Sequence, residues 1–144
     1  MSLFTLSAEE LEAVEKEEER KVFPADQDVT VRITKLLPND DDELVRSNKR
    51  GEPYLMVQMK ICEVQGAENY KPLSHYLPLP SNDIEDPETK KSVRLKYKKF
   101  IAAFDIPLEE ELTEEMMRNK TADVILDIED DAQYGSKNIV KRFV

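Results

Sequence analysis

The sequence predicts a mainly β protein with helices, of the α+β class, built around a five-stranded barrel. Two observations favour this fold class. Five segments alternate apolar and polar residues with the two-residue period of a β-strand. Between the third and fourth segments, aromatic residues recur at helical spacing.

Turn residues separate the five predicted strands, and the second strand has the most regular alternation. Its apolar set is expected to face the core and its mixed set to face solvent. The apolar set is Leu55, Val57, Met59 and Ile61, and the mixed set is Tyr54, Met56, Gln58 and Lys60. The five segments cover residues 29–37, 54–64, 73–79, 121–129 and 137–144.

Two helices are expected inside the domain. Val93, Tyr97 and Phe100 share one face of a predicted helix over residues 92–104, which the sequence Asp-Ile-Pro then ends. Residues 108–119 favour a short acidic helix before the fourth strand.

A further helix is expected before the domain. Ser7 and Glu10 have the spacing of a capping box, which predicts a helix over residues 7–21. This segment has too little apolar surface to join a core. We therefore expect an acidic N-terminal helical arm at residues 1–24 and a separate domain at residues 25–144.

The predicted order is three strands, a helix, a short helical connection and two strands. This is the connectivity of the five-stranded OB barrel, in which a helix lies between strands three and four. A ferredoxin-like fold would need a helix after the first strand. Residues 38–53, with a proline and a run of acids, are a poor helix.

Acidic residues outnumber basic ones, and the formal net charge is −10. The imbalance is uneven along the chain: residues 1–28 hold nine acids against three bases, and residues 105–144 hold eleven against five. The middle, residues 29–104, holds eleven acids against thirteen bases. Local patches govern contact, so a basic binding surface in the middle third is compatible with the overall charge.

Aromatic and basic side chains coincide on the predicted second and third strands and their turns. Tyrosine rings can stack on unpaired bases, while Lys and Arg meet phosphates. The stacking candidates are Tyr54, Tyr70 and Tyr76. The basic candidates are Arg32, Lys49, Arg50, Lys60 and Lys71. A second set on the last strand and the turn before it is Tyr134, Lys137, Lys141 and Arg142.

The sequence resembles the phage and phage-like single-stranded DNA-binding proteins built on an OB fold. The resemblance lies in SNKRGEPYLMVQMKICE, in HYLPLP and in LKYKKFIAAFDIP, and it covers residues 29–144. It implies sequence-independent binding that coats single-stranded DNA in replication, recombination or repair. Many such proteins recruit partners through an acidic C-terminal tail, whereas this chain ends in KRFV. The acidic arm is the alternative element for recruiting replication or recombination proteins.

We expect no catalysis, no cofactor and no metal. There is one histidine, one cysteine and three glycines, which give no nucleophile pairing and no phosphate loop. Five carboxylates, Asp123, Asp127, Glu129, Asp130 and Asp131, could bind two metal ions for phosphodiester cleavage. The exposed strand face that the first three share explains them better. No apolar run is long enough to span a bilayer, so we expect a cytoplasmic protein, in the host cell if phage-encoded.

The alternative function is an acidic OB-fold protein without a nucleic-acid ligand. Such a protein would act in protein interactions, as a DNA mimic, as an accessory factor or as a virion component, and the net charge of −10 favours this class. Self-association along a DNA strand is a further expectation for a single-strand binder. The acidic arm is also a candidate for autoinhibition, by competing with nucleic acid for a basic surface.

Overall fold

The computed structural model describes residues 20–107, 111–132 and 135–144, and it places an antiparallel sheet at the centre of the molecule. The strands are β1 (Asp28–Leu36), β2 (Arg46–Ser47), β3 (Pro53–Cys62), β4 (Leu73–Pro78), β5 (Thr121–Asp131) and β6 (Gly135–Phe143). The helices are α1 (Pro87–Ala103) and the single-turn α2 (Glu114–Met117), and a 3-10 turn spans Ala67–Asn69. The mainly β, α+β class is thereby confirmed.

The sheet has six strands rather than the five expected, because two residues before β3 also pair. In β2, Arg46 lies opposite Tyr54 and Ser47 opposite Pro53. Along the chain the long strands follow the predicted order. In the sheet, β1 lies between β3 and β5, β4 pairs with the other edge of β3, and β6 pairs with β5.

The two outer strands, β4 and β6, approach each other without pairing. Within the described ranges no hydrogen-bonded ladder joins them, so the sheet is open where a closed barrel would be continuous. Side chains span the gap: the rings of His75 and Phe143 meet edge to face at 5.6 Å between centroids. Phe100 of α1 contacts both rings, which places the helix over this gap.

Alternate residues of the central strands form the core. The predicted core face of β3 is confirmed, since all four of its apolar residues are buried. β1 and β5 contribute in the same way through Val31, Ile33, Val124 and Leu126. The opposite face of β3 is half-buried or exposed, as the alternation predicts.

Helix α1 begins five residues earlier than the sequence pattern predicts. Asp86 is its N-cap, since the side chain accepts a hydrogen bond from the backbone N–H of Thr89, and Pro87 occupies the first turn. Both residues are standard helix starters. Within the described residues, the short acidic helix spans Glu114–Met117, with Thr113 as its cap. None of the helices in the described residues is long and apolar enough to cross a lipid bilayer.

The described end of the predicted arm is attached to the sheet. Phe23 is buried in the core, and its ring meets that of Tyr70 edge to face at 5.2 Å. The side chain of Asn138, itself only 2% exposed, accepts from the N–H of Phe23 and donates to its carbonyl. The remainder of the predicted arm, residues 1–19, lies outside the described residues.

Candidate nucleic-acid interface

Two tyrosines stack on the solvent face of the sheet. Met56 of β3 lies opposite Tyr76 of β4, which makes Tyr54 and Tyr76 diagonal neighbours on one face. Their ring centroids are 4.4 Å apart, and the ring planes differ by 27°. Tyr76 is 43% exposed, so one ring of the pair offers an open surface on which a further flat ring could stack.

A tight turn carries two cations beside the tyrosine pair. The side-chain oxygen of Asn48 accepts from the N–H groups of Arg50 and Glu52, and the left-handed Gly51 (φ 77°) completes the turn. The Asn48 amide also donates to the Tyr76 hydroxyl at 3.4 Å. The turn is thus tied to the stacking surface, with Lys49 and Arg50 exposed at its tip.

A second pair of cations lies toward the other end of the same face. Arg32 of β1 is directly opposite Lys60 of β3. Like charges in directly opposed positions destabilise a sheet. The Nε of Arg32 is buried and has no hydrogen-bond partner among the described residues. An anion bound here would offset the repulsion between Arg32 and Lys60 and would give the Nε of Arg32 a hydrogen-bond partner.

Met56 and Gln58 of β3 occupy the solvent face between these two ends. Thr34 donates through its hydroxyl to the carbonyl and side-chain oxygens of Gln58, at a β-bulge in β1. Along β3, the step from Tyr54 to Lys60 corresponds to about 20 Å at the rise of an extended strand. A binding face of this length carries rings at one end and positive charge at both.

The surroundings of Tyr70 and Lys71 differ from those of the other predicted residues of this region. Tyr70 is half-buried, and its ring already makes an edge-to-face contact with Phe23. It borders a groove of about 530 Å³ with Arg32 and Lys60. The ammonium group of Lys71 instead donates to the carbonyl of Ser136 on β6, at 3.5 Å.

The second predicted basic set does not form one cluster. Lys137 pairs with Glu129 at 3.5 Å, and Lys141 pairs with Asp26 at 2.6 Å. The hydrogen bond and charge of Lys141 lower the pKa of the Asp26 carboxyl. Tyr134 lies outside the described residues.

Lys141 and Arg142 both border a different groove, which the sequence did not lead us to expect. This groove of about 750 Å³ runs between β4, β6 and α1, and it includes His75 and Tyr76. Lys96 and Lys99 of α1 add two positive charges to its rim. The sequence analysis missed these two lysines because they do not lie on the predicted strands. Their spacing was the available signal, since residues three apart on a helix lie on the same flank.

The lone cysteine is buried, and the lone histidine is half-buried. The His75 ring lies parallel to Phe100 at 5.7 Å between centroids, and burial, aided by the charge of Lys96, lowers its pKa to about 4. Burial also raises the pKa of the Cys62 thiol. Across the described ranges, no group of three or more His, Cys, Asp or Glu side chains is arranged to hold a metal ion.

A scan of the chain against protein-family models and a search of curated proteins both find no match.

Proposed function

We propose that this protein is a non-catalytic module that binds single-stranded DNA without sequence preference and coats it during replication, recombination or repair. The observation that carries the proposal is the stacked pair of Tyr54 and Tyr76 on the solvent face of β3 and β4, with cations at both ends of that face. Stacking on tyrosine is sequence-tolerant, because every base has a flat face.

The strand order supports an OB barrel as the scaffold of this module. In such a barrel the first long strand pairs with the second and the fourth, and a helix follows the third. Here β1 pairs with β3 and β5, and α1 follows β4. The contact of His75 with Phe143 supports closure of the barrel by side chains between β4 and β6.

In the proposed mechanism, a base stacks on the open face of Tyr76, and the neighbouring phosphates meet the turn cations. Lys49 and Arg50 supply charge next to the rings, while Arg32 and Lys60 supply it at the far end. Each stacked base contributes on the order of 1–3 kcal/mol. Each phosphate contact releases counterions, which makes binding strongly dependent on salt.

Fluorescence anisotropy of labelled oligo-dT at low and high salt tests the proposal. We expect binding at low salt that weakens as salt rises, with a slope of about −0.7 per phosphate contact in a plot of log K against log salt. Oligo-dA and mixed sequences should bind with similar affinity, and duplex DNA more weakly. The absence of oligo-dT binding at low salt would refute the proposal.

The alternative is an acidic interaction protein without a nucleic-acid ligand. Its supporting observation is the acidic loop Asp40–Glu43, which precedes two exposed apolar residues, Leu44 and Val45. Such a surface suits a protein partner better than a phosphate backbone. A pull-down from cell extract with and without nuclease separates the two functions. Partners that survive nuclease favour the alternative, and partners lost with nuclease favour DNA binding.

A further inference from the structure

One flank of α1 forms an apolar groove with a purely basic rim. The groove has a volume of about 580 Å³, and its apolar lining includes Leu95, which is 49% exposed. Four of its lining residues are cations, and none is an acid. The complete lining is Pro80, Pro87, Lys90, Lys91, Arg94, Leu95, Tyr97 and Lys98.

The helical repeat explains why the charges gather on this flank. Lys90, Arg94 and Lys98 are spaced four residues apart and therefore lie along one side of the helix. Val93 and Phe100 face the core. Leu95 lies away from that buried face, so packing against the sheet does not account for it.

The groove continues into a second apolar depression. Pro80 and Tyr97 line both, and the second adds the exposed Leu44 and Val45. Together they make an apolar track whose positive charge lies along the α1 side, and the second depression contains one acid, Glu114. A partner that fits this track has apolar residues on one face and carboxylates on the other.

The chain carries such a partner in its own N-terminal segment. Residues 1–19 contain seven glutamates and one lysine, together with the apolar residues Leu3, Phe4, Leu6, Leu11 and Val14. We infer that residues 1–19 dock on this basic flank of α1 in the same molecule. The glutamates pair with the four cations, and the apolar side chains cover Leu95 and the track beside it.

The tether is long enough for an intramolecular contact. Nineteen residues span about 60 Å when extended, whereas a domain of this size has a radius of gyration of about 14 Å. The segment joins the domain at Arg20, so it can reach any face. A short tether gives effective concentrations on the order of millimolar, which populates even a weak contact.

The groove nearest to Arg20 is a poorer site for the same segment. That groove contains Arg20, Arg32 and Lys60, but it also contains Glu63 and Glu68. Its three bases and two acids sum to +1, whereas the four bases of the α1 flank sum to +4. The α1 flank has more positive charge and a more apolar lining, so charge and burial both favour it.

Carbodiimide cross-linking of the full-length wild-type protein tests this inference, since the reagent joins a carboxylate to an amine only when the two are in contact. We expect mass spectrometry to find cross-links from the glutamates of residues 9–19 to Lys90, Lys91 or Lys98 in the monomer band. These links should fall at least several-fold in 0.5 M salt, because the ion pairs are exposed. Cross-links found only in a dimer band, or distributed equally over all lysines, would overturn it.

Two charge-reversed variants give a matched comparison. K91E/R94E changes the proposed flank, and K96E/K99E changes the opposite flank of the same helix. We expect the first to lose the remaining links to Lys90 and Lys98 and the second to retain them, with both folded as judged by thermal unfolding. Equal loss in both variants would overturn the inference. A third result would also overturn the inference: wild-type protein shows no cross-link, and oligo-dT protects Lys90 and Lys91. This result would assign the flank to nucleic acid.

Discussion

The ring of Tyr54 lies against that of Tyr76 with 4.4 Å between centroids, although the two residues sit on different strands. The contact follows from the register of β3 with β4, which makes the two positions diagonal neighbours on the solvent face. Stacking of the rings on each other holds Tyr76 in one orientation, and the turn residue Asn48 contacts its hydroxyl. The open face of Tyr76 is therefore pre-organised for a further flat ring.

Replacing Tyr76 with leucine should weaken oligo-dT binding by about tenfold to a hundredfold, because one stacked base contributes on the order of 1–3 kcal/mol. Tyr76→Phe is the control, since it keeps the ring and loses only the long hydrogen bond to Asn48. It should bind within about threefold of wild type. Anisotropy titrations at fixed salt give both affinities, and an unchanged affinity for the leucine variant contradicts stacking at Tyr76.

Replacing Lys60 with glutamine should affect binding and stability in opposite directions. The change removes a charge that lies directly opposite Arg32, so the free energy of unfolding should stay the same or rise by up to about 1 kcal/mol. Oligo-dT binding should weaken, and the salt slope should fall by about 0.7 with the loss of one phosphate contact. Urea unfolding and salt titrations measure the two effects.

Lys137→Gln is the matched control for Lys60→Gln. Lys137 is also a strand lysine, but Glu129 already pairs with it. We expect its removal to leave the salt slope unchanged. An equal drop in slope for both variants would mean that phosphate contacts are not concentrated near Arg32 and Lys60.

Replacing Asn138 with leucine should destabilise the fold by at least about 2 kcal/mol. Its side chain satisfies both the N–H and the carbonyl of the buried Phe23, and unpaired buried groups cost about 1–3 kcal/mol each. Chemical denaturation measures the loss. The exposed Asn82 provides the control, and Asn82→Leu should change the free energy of unfolding by less than about 0.5 kcal/mol.

Local patterns predicted the five long strands and the two faces of β3, but not the two-residue strand β2. Alternation in β3 separated Leu55 from Tyr54 correctly, because side-chain direction in a strand depends only on sequence parity. The early start of α1 was missed although Asp86 and Pro87 are recognisable starters. The predicted start of the helix was based on its apolar residues, which begin later, at Val93.

Features that depend on distant parts of the chain could not be predicted. Phe23 is a single aromatic residue in a polar stretch, and its burial depends on Tyr70 and Asn138, which are far away in sequence. The groove that holds Lys96 and Arg142 exists because β4 and β6 approach without pairing. Sequence parity places residues on faces, but it does not specify which edges of a sheet come together.

His75 should make stability depend on pH in the range from 6.5 to 4. Burial, with a smaller effect from Lys96, lowers its pKa to about 4 in the folded protein, so between these values the unfolded chain binds the proton more readily. The stabilisation from neutral His75 is complete above about pH 6.5 and is lost as pH falls. The loss in the free energy of unfolding reaches about 3 kcal/mol at pH 4.

His75→Phe is the control, because it cannot titrate and its ring can still lie on Phe100. Carboxyl groups such as Asp26 also titrate at low pH, but they are common to both proteins and cancel in the difference. Urea unfolding at a series of pH values should therefore show a steeper loss for wild type than for the variant, and parallel curves would contradict a buried, neutral His75.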